Sequence, residues 1–594
     1  MGDEKAGYNR FLLLVAGLGG LLYGVDVGII AGALPYLETT SGLNGGQLSI
    51  VVAAVLLGSV ISTLFAGALA DWIGRKALMI LSGVLFVVSI PAIALSHGYE
   101  SLVLGRLLQG ISAGLIGVVV PLYLAECLIA SKRGKGTGIF QWLLTLGIVA
   151  AAVFGMYFSY RVEEMAKLGD AAQLFAFKDK AWRSIFWVSL PPGVLFVLGS
   201  LMLSESPRWL FRRGKREAAR TALLRSRTRQ QADVELAEME QNLAAESLTT
   251  AKTKSSTGSK GRESLFRRKY VIPFLMACVI LACNQATGVN SIIGYNTNIL
   301  LQSGLSDVQA HWGYVVFTVV NFLMTIVGVL LVDRRGRKFL LSIGSAGIIL
   351  SLLATSALFR QTEKLRVDSR EAVQSMVGSD EKLALLYDQK LADALVGASR
   401  NVGKALNNRS TSLVVIYSYG DFRAATKVAR SDDKAAKPIE ITRDGCVPNN
   451  KVLAFFSNPF ADLESSRAAP LKIDNALITP MPSANNGWLV AASLFVFMAF
   501  FAIGPGVCVW LALSELMPTR IRSNGMSIAL LINQAVSTTI AAIFLPTVGK
   551  YGYSTMFFAF AACTVIYFIT AAVFLPETKG KTLEEIEAHF EGAA

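Results

Sequence analysis

Apolar stretches long enough to cross a lipid bilayer recur from one end of the chain to the other. A bilayer core about 30 Å thick takes about 20 apolar residues in an α-helix. The stretches lie near 11–36, 48–70, 78–97, 101–128, 137–159, 183–203, 271–300, 311–332, 339–359, 487–513, 525–547 and 554–576. Only 16% of the 594 residues are charged, fewer than a soluble chain usually carries. Because lipid cannot hydrogen-bond to a bare backbone, the sequence predicts an all-α membrane protein with about twelve transmembrane helices.

Lysine and arginine residues cluster in alternate loops. They are Arg75 and Lys76, then Lys132, Arg133 and Lys135, then Arg334, Arg335, Arg337 and Lys338, and the basic residues of 204–270. Short loops rich in these residues stay in the cytoplasm. All of them lie on one side if both termini are cytoplasmic, so we predict a multi-pass protein of the cell membrane with that orientation and a retained first helix. This distribution explains the net charge of +14, which therefore does not indicate a nucleic-acid partner.

Three pairs of matching motifs occur in the same order in the two parts of the chain. The pairs are Asp71-Trp72-Ile73-Gly74-Arg75-Lys76 with Asp333-Arg334-Arg335-Gly336-Arg337-Lys338, Glu126 and Arg133 with Glu515 and Arg522, and Glu205-Ser206-Pro207-Arg208 with Pro576-Glu577-Thr578-Lys579. This ordered repetition indicates two homologous six-helix halves. Asp71 and Glu126 lie 55 positions apart, whereas Asp333 and Glu515 lie 182 apart, so the second half contains an insertion of 127 residues.

The repeat divides the chain into four parts. We predict an N-terminal half at 1–203, a cytoplasmic linker at 204–270, a C-terminal half at 271–360 and 487–594, and an extracytoplasmic insertion at 361–486. Helical spacing near 370–406 and an apolar run at 413–417 predict local structure in the insertion, which is large enough to be a small domain. The insertion has no catalytic or metal-binding pattern, and a decoration without a part in the main activity is the alternative.

Asp26 interrupts the first apolar stretch. A charge at membrane depth is costly, so it usually faces a polar cavity and has a partner. A carboxyl group there can hold a proton when no cation is near and release the proton when one approaches. This behaviour suits a protein driven by a proton gradient; a structural hydrogen bond to a neighbouring helix is the alternative.

Acidic and basic residues occur at the cytoplasmic ends of helices in both halves. They are Asp71, Arg75, Glu126, Arg133, Glu205 and Arg208, with the repeats Asp333, Arg337, Glu515, Arg522 and Glu577. Single exposed ion pairs are weak. A network that forms only when the cytoplasmic side is closed could still bias a two-state equilibrium, so we predict a gate. Basic loops that only fix the orientation are the alternative.

Six ordered motifs extend along nearly the whole chain outside the insertion. They are Gly67-Ala68-Leu69-Ala70-Asp71-Trp72-Ile73-Gly74-Arg75-Lys76, Gly105-Arg106, Pro121-Leu122-Tyr123-Leu124-Ala125-Glu126, Glu205-Ser206-Pro207-Arg208-Trp209-Leu210, Gln285-Ala286-Thr287-Gly288-Val289-Asn290 and Pro576-Glu577-Thr578-Lys579-Gly580. The ordered set resembles the sugar porter family of the major facilitator superfamily. The resemblance implies the major facilitator fold and sugar transport by alternating access.

On matching positions, the resemblance also implies a central sugar site between the two halves. The candidates lie on five spans: Gln141, Gln285, Asn290, Asn321, Trp510 and Asn533. Amides donate and accept hydrogen bonds, as sugar hydroxyls do, and an aromatic face covers the apolar side of a sugar ring. Bonds between helices are the alternative role of each amide. Several positions depart from residues common in the family and leave the sugar open: Asn284, Gly294, Val507, Val509 and Gln534.

Asp26 matches the carboxylate of proton-coupled members of the family, and Arg106 matches its arginine neighbour. Passive glucose facilitators commonly lack that carboxylate, so the resemblance favours a proton-coupled hexose or pentose symporter that works as a monomer in the bilayer. The alternatives are a facilitative sugar or polyol transporter and a nutrient sensor with a porter fold. No enzyme, cofactor or metal site is expected, because the three histidines are scattered and the six cysteines form no CxxC pair.

Overall fold

The computed structural model describes residues 2–128, 130–237, 239–241, 268–397, 410–426, 428–432, 438–448, 451, 454, 458, 461–517, 522–577 and 590. Within these residues, twelve helices or helix pairs are long and apolar enough to cross a membrane, which confirms the predicted number. They form the two predicted six-helix halves. The two ends of the bundle are called the termini side, where the first helix begins, and the insertion side, where residues 361–486 leave the bundle.

The described residues of the first half and of the linker form helices joined by short turns. Their bounds are α1 Gly2–Thr40, α2 Gly45–Ile73, α3 Arg75–Ala94, α4 Tyr99–Cys127, α5 Ala130–Lys167, α6 Ala171–Trp187, α7 Leu190–Met202, α8 Pro207–Arg212 and α9 Arg216–Ser226. On the insertion side, α2 begins with a capping box: the Asn44 side chain accepts from the Gln47 amide at 2.8 Å, and the Gln47 side chain accepts from the Asn44 amide at 3.1 Å. The sixth span combines α6 and α7.

The second half repeats this arrangement and contains the insertion between its third and fourth spans. Its helices are α10 Arg268–Ala286, α11 Val289–Gly294, α12 Asn296–Gln302, α13 Asp307–Arg335, α14 Arg337–Glu363, α15 Arg370–Gln374, α16 Gln389–Gly397, α17 Leu463–Ala468, α18 Ala484–Ile503, α19 Pro505–Leu516, α20 Arg522–Tyr551 and α21 Tyr553–Ile569. A capping box of Ser306 and Gln309 begins α13, as Asn44 and Gln47 begin α2.

Glycines spaced four apart bring α1 into close contact with α5. A Cβ atom on Gly20 or Gly24 would overlap a carbonyl oxygen of α5, and one on Gly32 would lie 3.0 Å from the Cα of Gly155. Small residues at this spacing let two membrane helices approach closely. Asp26 is two residues from Gly24, so it lies on a different face of α1 from this glycine stripe.

The seventh span breaks between α10 and α11. Gly288 adopts a left-handed conformation (φ 81°) at the break, and a Cβ atom there would overlap the ring of Phe560. Glycine fills this position without the cost that a side chain would add. The break places Gln285, in the last turn of α10, close to Asn290 at the start of α11.

The described residues of the insertion form a hydrophobic core of their own and two antiparallel sheets. The strands are β1 Val367–Asp368, β2 Leu383–Leu385, β3 Thr411–Tyr419, β4 Phe422–Ala425, β5 Ala429–Arg430, β6 Ile439–Ile441 and β7 Leu471–Pro480. The five-stranded sheet has the order β1-β7-β3-β4, with β5 also paired to β3, and β2 pairs with β6. The predicted strand at 413–417 lies within β3, whereas the predicted helical stretch contains two helices separated by β2, and residues 398–406 lie outside the described part.

The strands that begin and end the insertion pair with each other. Val367 of β1 lies opposite Ile478 of β7, so the chain leaves α14 and returns to α18 at neighbouring points. The insertion also contacts both halves of the helix bundle. Asn44 Nδ2, just before α2, donates to the Gly445 carbonyl at 2.6 Å, and Arg430 donates to the Leu301 carbonyl at 3.4 Å.

Candidate functional site

Asp26 and Arg106 face each other in the middle of the first half. Each is only 1% exposed, and Arg106 Nη1 lies 3.9 Å from Asp26 Oδ1. Within the described part of the chain, neither carboxylate oxygen of Asp26 has a hydrogen-bond partner. The Arg106 guanidinium lies over the ring of Phe186, 5.6 Å from its centroid. The sequence-predicted pair is therefore in contact range but not hydrogen-bonded.

Three of the predicted sugar-binding amides form one cluster beside the break in the seventh span. Gln285 Nε2 donates to Asn533 Oδ1 at 3.3 Å, and Asn290 Nδ2 donates to Gln285 Oε1 at 2.9 Å. Asn290 Nδ2 also lies 2.8 Å from the Ser537 hydroxyl oxygen. Gln285 and Asn290 are half-buried, whereas Asn533 is 1% exposed and donates to the Leu281 carbonyl. The two half-buried amides leave part of the cluster open to a ligand.

The remaining predicted sugar contacts are not hydrogen-bonded to this cluster among the described side chains. Gln141 is exposed on α5 and Asn321 is half-buried on α13. Their neighbours Trp142 and Phe322 are in ring contact at 6.3 Å between centroids, so the two helices meet across the halves at this level. Trp510 belongs to α19, but its side chain lies outside the described part.

On the termini side of the first half, charged residues from several helices bond to one another. Arg75 is 3% exposed and pairs with Asp71 at 2.8 Å and with Glu126 at 2.9 Å. Glu126 also accepts a bond from the Ser206 hydroxyl. Glu205 accepts from the backbone amides of Arg75 and Lys76 at 3.0–3.2 Å, so its carboxylate caps the start of α3.

The second half repeats the Glu205 cap. Glu577 accepts from the backbone amides of Arg337 and Lys338 at 3.0 and 3.2 Å. The preceding glycines have matching backbone angles, with φ 100° at Gly74 and 88° at Gly336. A Cβ atom on either glycine would overlap the capping carboxylate. The repeat detected in the sequence therefore extends to hydrogen-bond geometry.

Fewer contacts are described for the other predicted gate residues. Arg208 lies on α8 and is exposed. The side chains of Arg133, Asp333, Glu515 and Arg522 lie outside the described part, although their backbones belong to α5, α13, α19 and α20. The bonds above join helices of the same half.

On the insertion side, hydrogen bonds join the two halves directly. Tyr36 donates to Asp307 at 2.7 Å, and Tyr314 donates to the Gly28 carbonyl at 2.9 Å. Asn298 Nδ2 donates to Glu38 at 2.5 Å. These contacts link α1 of the first half to α12 and α13 of the second half.

Sequence reasoning missed two polar residues of these sites. Ser537 is 2% exposed and lies one helical turn after Asn533. Gln109 is fully buried one turn after Arg106, and its Oε1 accepts from Arg106 Nη1 at 2.6 Å. A sequence signal for both residues was available. Each is a polar residue three or four positions from a predicted site residue, on the same face of an apolar helix.

The chain matches the family described as "Sugar (and other) transporter" over residues 12–376 and 475–590. It is 26% identical to the human "Proton myo-inositol cotransporter", over 99% of this chain and 83% of that protein. It is also 26% identical to the "Glucose transporter GlcP" of Staphylococcus epidermidis, over 98% of this chain and 97% of that protein.

Among solved structures, the inward open conformation of the xylose transporter XylE from E. coli superposes with a TM-score of 0.62. The two chains are 20% identical, over 97% of this chain and 98% of that one. This likeness shows the fold. The family match covers both six-helix halves and omits residues 377–474, most of the insertion. The chain therefore belongs to the sugar (and other) transporter family and is a sugar transporter of the major facilitator superfamily.

Proposed function

We propose that this transporter is a proton-coupled monosaccharide symporter that works as a monomer by alternating access. The observation that carries the proposal is the environment of Asp26, whose side chain is only 1% exposed. Its carboxylate oxygens have no hydrogen-bond partner among the described residues. Its charged neighbour, Arg106, lies 3.9 Å away. A carboxyl group fixed by hydrogen bonds would serve a structural role. One that lacks them can exchange its proton as its charged neighbour moves.

The amide cluster supports a sugar or a polyol as the substrate. Gln285 and Asn290 are half-buried and already satisfy each other through one hydrogen bond. Arriving hydroxyl groups would exchange hydrogen bonds with these amides, which both donate and accept. Because the amides recognise hydroxyl groups and not a particular ring, a cyclic polyol is the second candidate substrate.

The two halves and the end at which they are joined support alternating access. Tyr36 and Asp307 help to close the insertion side, while Arg75 and Glu205 tie helices together within the first half on the termini side. Each half would then move as a rigid body, and the amide cluster of the second half would be exposed first to one side and then to the other. We assign the termini side to the cytoplasm from the lysine and arginine residues of its loops.

Coupling in this scheme needs one proton-carrying group and one cation. With a proton on Asp26, the buried pair carries only the positive charge of Arg106. When Asp26 releases that proton to water, the carboxylate is stabilised by the Arg106 guanidinium. If sugar binding and Asp26 protonation favour the same conformation, the proton gradient can drive sugar accumulation.

Uptake by the purified protein in liposomes tests this proposal. Labelled hexoses, pentoses and myo-inositol are offered with and without an imposed pH gradient. We expect one substrate to accumulate above its external concentration only with the gradient, and a protonophore to abolish the accumulation. Equilibration without accumulation would instead support a facilitator, and failure to transport any sugar or polyol would contradict the substrate assignment.

A further inference from the structure

Gln109 competes with Asp26 for the side chain of Arg106. Gln109 Oε1 accepts from Arg106 Nη1 at 2.6 Å, whereas the same nitrogen lies 3.9 Å from Asp26 Oδ1. A hydrogen bond from a charged donor is short and strong. The guanidinium is therefore bonded to the neutral amide and stands short of the carboxylate.

The helix that carries both residues is held firmly in place. Arg106 and Gln109 are three positions apart on α4, so they share a face. A Cβ atom on Gly110 would overlap the backbone of Val55 on α2, and one on Gly105 would lie 3.0 Å from the backbone nitrogen of Ile93 on α3. Close packing of α4 on two neighbours leaves side-chain rotation as the simplest way for Arg106 to change partner.

Both groups beside Arg106 keep unused hydrogen-bonding capacity. Gln109 is fully buried, and its Nε2 has no partner in the described part of the chain; the same holds for both oxygens of Asp26. Burying such groups without partners is costly. The arrangement is the one expected of a site where a single cation moves between two acceptors.

Arg106 is the charged residue that faces Asp26 among the described residues of the helices packed on α1. Tyr23, one turn earlier on α1, is its titratable neighbour. Helices α7, α11 and α12 contain no charged residue. Among the described charged residues of α5 and α6, Arg161 pairs with Glu164 and Arg183 pairs with Asp179. Helix α9 contacts the first turns of α1, where Asn9 bonds to the Ser226 carbonyl.

We propose that Gln109 is a positioning residue for proton coupling, which holds the Arg106 guanidinium away from Asp26 while Asp26 carries its proton. The inference rests on the proposed proton symport. When the O–H bond of Asp26 breaks and its proton passes to water, Arg106 exchanges the amide of Gln109 for the new carboxylate. Gln109 thereby sets the pH at which Asp26 becomes protonated.

Two substitutions of opposite effect test this role. Gln109→Leu removes the competing acceptor, so Arg106 pairs with Asp26 and favours its charged form. The pH at which gradient-driven uptake is half-maximal should fall by about one unit. Gln109→Glu holds Arg106 more strongly and adds a negative charge, so the midpoint should move to higher pH. Ser112→Ala, which removes a buried hydrogen bond from the same helix, is the matched control and should leave the midpoint unchanged.

The assay separates failure of this inference from failure of the proposed function. Initial uptake rates across a pH series, sugar exchange without a gradient and thermal unfolding in detergent are measured for wild type, Asp26→Asn and the Gln109 variants. A flat wild-type profile, or an unchanged profile in Asp26→Asn, would overturn proton coupling and this inference with it. Suppose instead that uptake depends on pH and on Asp26. If both Gln109 variants then have the wild-type midpoint, or midpoints displaced in the same direction, the role of Gln109 alone is overturned.

Discussion

Tyr36 of α1 and Asp307 of α13 share a 2.7 Å hydrogen bond that joins the two halves on the insertion side. The Tyr36 ring also stacks on His311, with centroids 5.6 Å apart, and His311 lies 3.3 Å from the Gly32 carbonyl. A bond that crosses between the halves must break when this side opens. The Tyr36–Asp307 bond therefore stabilises the closed state specifically.

Tyr36→Phe should shift the transporter towards the state that is open on the insertion side. A hydrogen bond to a charged group contributes about 1.5–3 kcal/mol, or roughly tenfold to a hundredfold in the equilibrium. Spin labels at Glu164→Cys and Lys364→Cys, both exposed positions, would report a longer distance between the halves. Tyr551→Phe, at an exposed position on the same side, is the control. An unchanged distance distribution in Tyr36→Phe would show that this bond does not maintain closure.

Gln285→Ala and Trp510→Ala should weaken sugar affinity while the protein stays folded. Loss of a hydrogen bond to the ligand costs roughly 1–3 kcal/mol, so Gln285→Ala should raise Kd about fivefold to a hundredfold. Trp510→Ala instead removes the aromatic face that covers the apolar side of the sugar ring. Thr538→Ala is a control on α20, because its hydroxyl bonds to the Gln534 carbonyl of its own helix. Isothermal titration with the transported sugar measures the effect. Wild-type affinity in both variants would place the sugar site elsewhere.

Cys446 provides a test of the position of the insertion and of the burial of its own thiol. Burial raises the pKa of this thiol to about 11, and its Sγ contacts the Phe422 carbonyl at 3.3 Å. Because the thiolate is the reactive form, labelling at pH 7 should be about a hundredfold slower than for a free cysteine. The rate should rise about tenfold with each pH unit below that pKa.

The comparison residue is Ser379→Cys, an exposed position of the insertion, in a variant without other cysteines. A membrane-impermeant maleimide should label it rapidly in intact cells at pH 7. Labelling only after the membrane is broken would place the insertion in the cytoplasm. If Cys446 reacts as fast as this exposed cysteine at pH 7, the thiol is not shielded as the structure indicates.

Gly74→Ala should destabilise the first half more than Gly42→Ala does. Both glycines have positive φ angles, 100° and 70°, so both substitutions add backbone strain. A Cβ atom at Gly74 would also displace the Glu205 cap, whereas nothing lies within 4 Å of one at Gly42. Thermal unfolding in detergent compares the two. If Gly74→Ala and Gly42→Ala lower Tm equally, displacing the Glu205 cap adds nothing to the destabilisation caused by backbone strain.

The membrane part of the fold was predictable because its signals are local. Each span requires about 20 apolar residues in succession, and the Gly74 and Gly336 motifs mark the same turn in each half. The site needed more than local signals. Gln285 and Asn533 are 248 positions apart and were placed together through the family resemblance, since spacing alone cannot bring distant helices into contact.

The insertion shows where the sequence signal fails. Strand β3 was predicted from its apolar run, but its partner β7 was not. The register shifts at Asp474, so that Ile416 lies opposite Asn475 and Tyr417 lies opposite Ile473. One extra residue in β7 interrupts the alternation of buried and exposed side chains that identifies a strand.

The most direct test of the account is gradient-driven sugar accumulation by Asp26→Asn in proteoliposomes, measured beside sugar exchange without a gradient. Asparagine keeps the shape of the side chain but carries no titrating proton. We predict that accumulation is lost while exchange continues, because the amide cluster of the second half is unchanged. Accumulation at the wild-type level, driven by the same pH gradient, would contradict the account.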